Sequence, residues 1–404
     1  MKLLALITGV ALVGFAAWIL QRMRRSNVFL WLPAYARGRW AGRREPRPSR
    51  RPVHVLFCIA DHFEPALGKP AVEVERRRVQ QWLQRYPALA RDFRDCDGHP
   101  PRHTFFFPAE EYRAEHIEAL AQLVKDGYGE VEVHLHHDRD TSAGLKEKLL
   151  EFAGRLRAHG LLGSSAAGAV RFGFVHGNWA LDNSHPQGLW CGVNDELRVL
   201  KDCGCYADCT LPSAPSGTQT RRINSIYYAA DDPQRPKSHD DGTEVSVGSG
   251  ESGDLMIVQG PLGLRWPGGR FGLFPRLENG GLTGAAPPTA RRIRKWIRTG
   301  VCIAGRPEWV FVKVYTHGCN EANWDALLGG PARFLHEFLR REYNDGARFK
   351  LHYVTARELY NIVRAAQHGL AGDPGGYRDY EVLPPPIVTR QKKVSYVTGR
   401  QLVE

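Results

Sequence analysis

Histidines and carboxylates recur in this chain just after short apolar runs. Val53–Ala60 (VHVLFCIA) is followed by Asp61, His62 and Glu64. The run from Val131 ends in His134, His136, His137 and Asp140. Val170–Val175 leads into His176, Asn178, Trp179 and Asp182, and Cys205–Ala207 into Asp208. Trp309–Tyr315 is followed by Thr316, His317 and Gly318. A single histidine on a strand is ordinarily a packed or solvated residue. Recurrence at five strand ends is what a parallel α/β catalytic face would produce, because reactive groups there sit where strands end.

His134 and His136 are two apart, so on a strand both side chains leave the same face. Two imidazoles so placed suit one divalent metal, and Asp61 or His62 could complete a three-ligand site with open positions. Such an ion polarises a carbonyl and lowers the pKa of its bound water. A carboxylate base and a histidine acid would then move the protons; His317 stands where that acid is needed. Trp179 could stack on a sugar face.

The elements that must position these groups are legible as alternation. Apolar strand-like runs alternate with helical patterns through about residue 210, which predicts parallel βα units. Residues 213–288 break the pattern. They are rich in Gly, Pro, Ser and Asp and read as a loop-rich insertion beside the active face. Regular alternation resumes with a helix at Thr289–Thr299 and closes with a helix at Ala356–Gln367.

The order of these motifs resembles the polysaccharide deacetylases of the NodB-homology type, within the wider glycoside hydrolase/deacetylase barrel superfamily, as a divergent member. Asp61-His62 stands where that family has an Asp-Asp pair. Glu132-Val133-His134-Leu135-His136 is similar to the strand leading to its His-x-x-x-His motif, with His136 on the first histidine and Asp140 on the second. His176 lies near the family's motif arginine, Asn194–Thr210 resembles its helix and following strand, and Val314–His317 resembles its last histidine motif.

The resemblance implies a distorted (β/α)7-type barrel over residues 53–370 and removal of an acetyl group from an acetylated sugar. It implies a divalent metal, zinc in the first instance, held by His134 and His136 with His62 or Asp140 assisting. Asp61 is then either the base, with His62 on the metal, or a ligand, with Glu64 substituting as base. His317 is the acid, and His176, Asn178, Trp179 and Asp208 orient it or bind substrate. Two rivals stand beside this reading: a metal-independent glycoside hydrolase using Asp61 and Asp208, and a non-catalytic glycan-binding or assembly protein.

Composition bounds the setting. The chain has 404 residues and a net charge of +12, of which +9 falls between Arg22 and Arg51, where ten arginines face the single acid Glu45. That concentration argues against a nucleic-acid groove, which spreads basic residues over a folded domain, and for attraction to anionic membrane lipid. Leu3–Leu20 carries no charge over eighteen residues, near the minimum for a bilayer span. The expectation is a transmembrane anchor over 1–21, a basic juxtamembrane linker over 22–52, and a C-terminal extension over 371–404. The arginines after the helix would place the catalytic part in the cytoplasm by the positive-inside rule. There it would meet an acetylated glycan or a lipid- or nucleotide-linked sugar. The eight cysteines include no CxxC pair and are expected as free thiols in a reducing compartment.

Overall fold

A computed structural model describes residues 14–15, 17–40, 52–266 and 275–388. The strand β1 (Val53–His62) is buried along its whole length, and the pairing explains why. β12 (Trp309–Thr316) runs parallel to it from His54 to Asp61. Its other edge is shared: β13 (Phe349–Tyr353) pairs with the first half and β2 (His103–Pro108) with the last residues. A strand with neighbours on both edges and layers on both faces has no polar side to show, so its sequence is a continuous apolar run.

From β2 the sheet continues through β3 (Gly129–Leu135), β5 (Val170–His176) and β6 (Cys205–Asp208), all parallel. The short β4 (Gly163–Ser164) pairs antiparallel with β5. Beyond β6 come three strands of the 213–288 region: β9 (Leu255–Val258), β7 (Ile226–Ala229) and β8 (Gly242–Glu244). A two-stranded ribbon, β10 (Gly263–Arg265) with β11 (Arg276–Glu278), stands apart.

This corrects the expected seven-stranded barrel. The strand ladder is an open path of a mixed, mostly parallel eleven-stranded sheet, not a closed (β/α)7 ring. The insertion, expected as loops with a few short strands, adds three of those strands to this sheet. Its LMIV segment forms β9, parallel to β6 through Ala207–Met256 and Asp208–Ile257, and β7 and β8 add antiparallel pairs. Four apolar residues among Gly, Ser and Asp are too few to show a period, but backbone pairing to an existing strand edge is enough to recruit them.

Side chains of β1 divide by parity. Val53, Val55, Phe57 and Ile59 join the core shared with the helices α2 (Val72–Ala90), α3 (Ala114–Lys125) and α4 (Ser142–Ala158). Leu56, Cys58 and Ala60 join a second core with Tyr206, Met256 and the helix α9 (Ala356–Gln367). The same parity decides below which histidines meet.

The membrane anchor is corrected as well. No helix among the described residues is long and apolar enough to cross a membrane, so neither the single-pass assignment nor the cytoplasmic orientation built on it is retained; Leu3–Val13 and Ala16 of the apolar run lie outside the described residues. Part of the expected linker is a helix, α1 (Val28–Trp40), that docks on the domain. Trp31 is fully buried and packs with Val28, Ala214, Ile223 and Leu262. Asn27 Nδ2 donates to the Pro215 carbonyl at 2.9 Å, and Lys295 lies over the Tyr35 ring. The aromatics Trp31 and Tyr35 thus seat the helix against the inserted region and Lys295.

Candidate functional site

Parallel pairing brings the C-terminal ends of β1, β2, β3, β5 and β12 to one edge of the sheet. Register partners run Thr316–Asp61, His62–Phe106, Pro108–His134 and Leu135–His176. The side chains that converge there are His62, Glu64, His134, His136 and His317, with Glu64 common to two groups able to hold a metal ion.

Glu64 is buried and divides its oxygens. Oε1 lies 3.2 Å from His134 Nε2 and 3.5 Å from His136 Nε2, and Oε2 lies 3.2 Å from His317 Nδ1. Burial opposes its ionisation, but the contacts with His134 and His317 outweigh it and hold the carboxyl well below the usual range. The His62 ring stands 4.9 Å from that of His134 and 4.7 Å from that of His317, centroid to centroid. Its pKa is pushed well down, first by burial and then by the neighbouring histidines.

The tautomers show what the cluster lacks. His134 Nδ1 donates to the Val175 carbonyl at 3.0 Å, so in the neutral ring Nε2 carries a lone pair. That lone pair faces the carboxylate oxygen of Glu64. Burial lowers the His134 pKa and so disfavours the imidazolium that would satisfy both contacts. A cation between the two groups resolves the conflict. At His136, Nε2 faces Glu64 from 3.5 Å, and Nδ1 stands 2.5 Å from Glu110 Oε1. A carboxylate behind the distal ring nitrogen is the usual support for a metal-binding histidine. Burial works against protonation of His136, and the Glu110 contact reverses this and raises its pKa. His136 and His317 are the more open members, their side chains 31% and 23% exposed, so the cluster is reached from their side. Trp179 and Tyr315 flank it, with ring centroids 6.2 and 6.4 Å from that of His62.

Close backbone approach shapes this edge. A Cβ on Gly177 would lie 2.3 Å from the His136 ring, and one on Gly318 would lie 2.3 Å from Asp61 Oδ2.

Several residues expected in the site are elsewhere. Asp61 has the parity of Ile59, not of His62, and faces the helix layer. It accepts from the Gly318 backbone N–H at 2.6 Å and lies 3.1 Å from His103 Nδ1, next to Trp82. It is placed to hold the turn after His317, not to reach the cluster. His176 likewise has the parity of Phe172 and Phe174 and turns away from His134. It is fully buried, its pKa pushed down to about 4 chiefly by burial. Asp140 binds Lys148 Nζ at 2.6 Å and stands 3.2 Å from His137 Nδ1, outside the His134–His136 group. Asn178 is exposed, in a left-handed conformation with φ 54°. Asp208 accepts from the Thr210 hydroxyl at 2.6 Å, and burial pushes its pKa up to about 6. Asp61 and Asp208 share no hydrogen-bond partner, and neither is in a metal-capable group among the described residues.

Glu110 was not among the expected site residues, although the same strand-end rule points to it, since it follows the apolar β2. The eight cysteines are free thiols. Cys203, Cys205 and Cys209 are in none of the metal-capable groups among the described residues.

No protein-family model matches the chain, and no curated protein matches it. A crystal structure of a "putative polysaccharide deacetylase" from Mycobacterium smegmatis is similar over 80% of this chain and 95% of that one, with 14% identity and a TM-score of 0.39. A likeness that distant carries neither a family name nor an activity to this chain.

Proposed function

We propose that the protein is a metal-dependent hydrolase that removes an acetyl group from an acetylated sugar, as a free glycan or a lipid- or nucleotide-linked precursor. The observation that carries the metal dependence is His134 Nε2 facing Glu64 Oε1 at 3.2 Å, with Nδ1 already committed to the Val175 carbonyl. His134, His136 and Glu64 would hold a divalent ion, zinc by its taste for imidazole and carboxylate. When bound there, the ion supplies carbonyl polarisation and a water of lowered pKa. The choice of an acetylated sugar rests on the motif order described for the sequence, and Trp179 at the rim offers a flat apolar surface for a pyranose face.

The chain's own groups then divide the remaining work. His317, on the opposite oxygen of Glu64 and partly open to solvent, is placed to give a proton to the departing amine or alcohol. Glu64 Oε2 fixes its ring. His62, kept neutral by burial, is placed to accept or relay a proton beside His317. Asp61 holds the Gly318 turn and through it the position of His317.

The test is acetate release from a panel of N- and O-acetylated oligosaccharides, with and without chelator, in wild type and His317→Ala. Chelator-sensitive release that His317→Ala lowers by roughly 10²-fold or more is the expected outcome. Release that survives complete chelation would contradict the metal dependence.

A further inference from the structure

A second group of metal-capable side chains lies behind the first and shares no residue with it. His137, His176, Cys191 and Glu196 are all buried, and one ligand atom from each falls within 4.8 Å of every other. They come from four separate places: the segment after β3, the last residue of β5, the loop between them and the next helix, and the first residue of α5 (Glu196–Asp202).

Hydrogen bonding inside the group is incomplete. His176 Nδ1 donates to the Gly177 carbonyl, which leaves Nε2 as the lone-pair nitrogen of the neutral ring. That nitrogen is fully buried, has no hydrogen-bond partner, and points at Glu196 Oε1 3.5 Å away. His137 Nε2 stands 3.2 Å from the same oxygen, and His137 Nδ1, also without a hydrogen-bond partner, stands 3.2 Å from Asp140 Oδ2. Buried polar atoms are nearly always satisfied; His137 Nε2 is, through its hydrogen bond with Glu196 Oε1, but His176 Nε2, aimed at the same oxygen, and His137 Nδ1 are not.

We propose that His137, His176, Cys191 and Glu196 form a second, closed site for a zinc-class divalent ion, structural in role. The ligand chemistry fits: two imidazoles, one thiolate and one carboxylate make a four-coordinate set. The thiolate and carboxylate together carry two negative charges, which a divalent ion neutralises, and that is what allows such a set to be buried. The outer contacts fit as well. The Val193 backbone N–H points at Cys191 Sγ from 3.4 Å, the Asp182 N–H donates to Glu196 Oε2, and Asp140 backs His137.

The consequence lies in the loop from 177 to 195. It places Asn178, Trp179, Asp182, Asn183 and Trp190 at positive φ, a backbone that asparagine and aspartate tolerate but that is unfavourable for the bulky Trp179 and Trp190, and it carries Trp179 to the rim of the first cluster. An ion tying Cys191 and Glu196 to the strand ends at His137 and His176 would fix that loop. This proposal does not depend on the hydrolase reading, since no ligand is shared.

The test uses full-length protein loaded with cobalt(II), whose thiolate complexes show a ligand-to-metal charge-transfer band in the near ultraviolet. The band is expected in wild type, in His134→Ala/His136→Ala and in Cys96→Ser, and is expected to vanish in Cys191→Ser. At least one equivalent of zinc should remain in the His134→Ala/His136→Ala variant, and Cys191→Ser should hold one equivalent fewer than wild type. Absence of the thiolate band from wild type overturns the proposal without recourse to any variant, and so does a band that persists in Cys191→Ser.

Discussion

Asp61 accepts a hydrogen bond from the backbone N–H of Gly318 at 2.6 Å, so the first strand of the domain holds the turn that follows His317 across 257 residues of sequence. The contact makes Asp61 a positioning residue. Asp61→Asn keeps an acceptor for Gly318 and is expected to retain most activity. Asp61→Ala leaves the buried N–H unsatisfied, which costs about 1–3 kcal/mol, and should lower kcat while metal content stays unchanged. Equal and complete inactivation by both substitutions would show instead that Asp61 takes part in the chemistry.

Glu110 stands behind His136 and touches it at Nδ1. Glu110→Gln removes the charge that supports the ring while keeping its shape. Loss of such a partner typically weakens metal binding by roughly 10–100-fold, and a competition titration against a chromophoric chelator would read that shift. An unchanged affinity would detach Glu110 from the site.

Gly177 is the point where the backbone passes beneath the His136 ring. Gly177→Ala must displace that ring, because the new Cβ would fall 2.3 Å from it. Crowding of this kind costs about 1–3 kcal/mol. The variant should melt lower than wild type and bind its ion more weakly at the His134/His136 site.

Glu132 supplies a pH dependence of stability. It is fully buried, accepts from Tyr206 Oη and Gly173 N, and burial pushes its pKa from 4.5 up to about 8. An acid whose folded pKa is raised stays protonated in the fold while the unfolded chain ionises. Its contribution is therefore intact below about pH 4.5, falls as pH rises, and is fully lost above about pH 8. The loss is on the order of 3–5 kcal/mol. Denaturant unfolding of wild type and Glu132→Gln should show a difference in favour of the variant that grows across that window. A flat difference would contradict the assignment.

The contrast between His134 and Asp61 shows what could be read from the sequence. His134 and His136 share a face whichever way the strand is turned, so their pairing follows from spacing alone. Asp61 and His62 are adjacent, and only one can face the site. β1 is apolar on both sides, so no alternation tells which. The same holds for His176 at the end of FGFVH, whose parity sends it to the second cluster. Strand and helix alternation was legible because each run is long and apolar. The sheet's true extent was not, since β7, β8 and β9 are three or four residues each. The aromatics of α1 fit a membrane interface and a docking face equally well by spacing, and only the contacts of Trp31 separate the two.

The central claim is that an ion belongs between Glu64 and the histidines around it. The most direct measurement is zinc content per chain of purified full-length wild type and His134→Ala/His136→Ala, with circular dichroism to confirm that both are folded. The account predicts that the double variant holds one equivalent fewer than wild type. A folded double variant with the same metal content as wild type, or a wild type that takes up no divalent metal at micromolar concentrations, would contradict it.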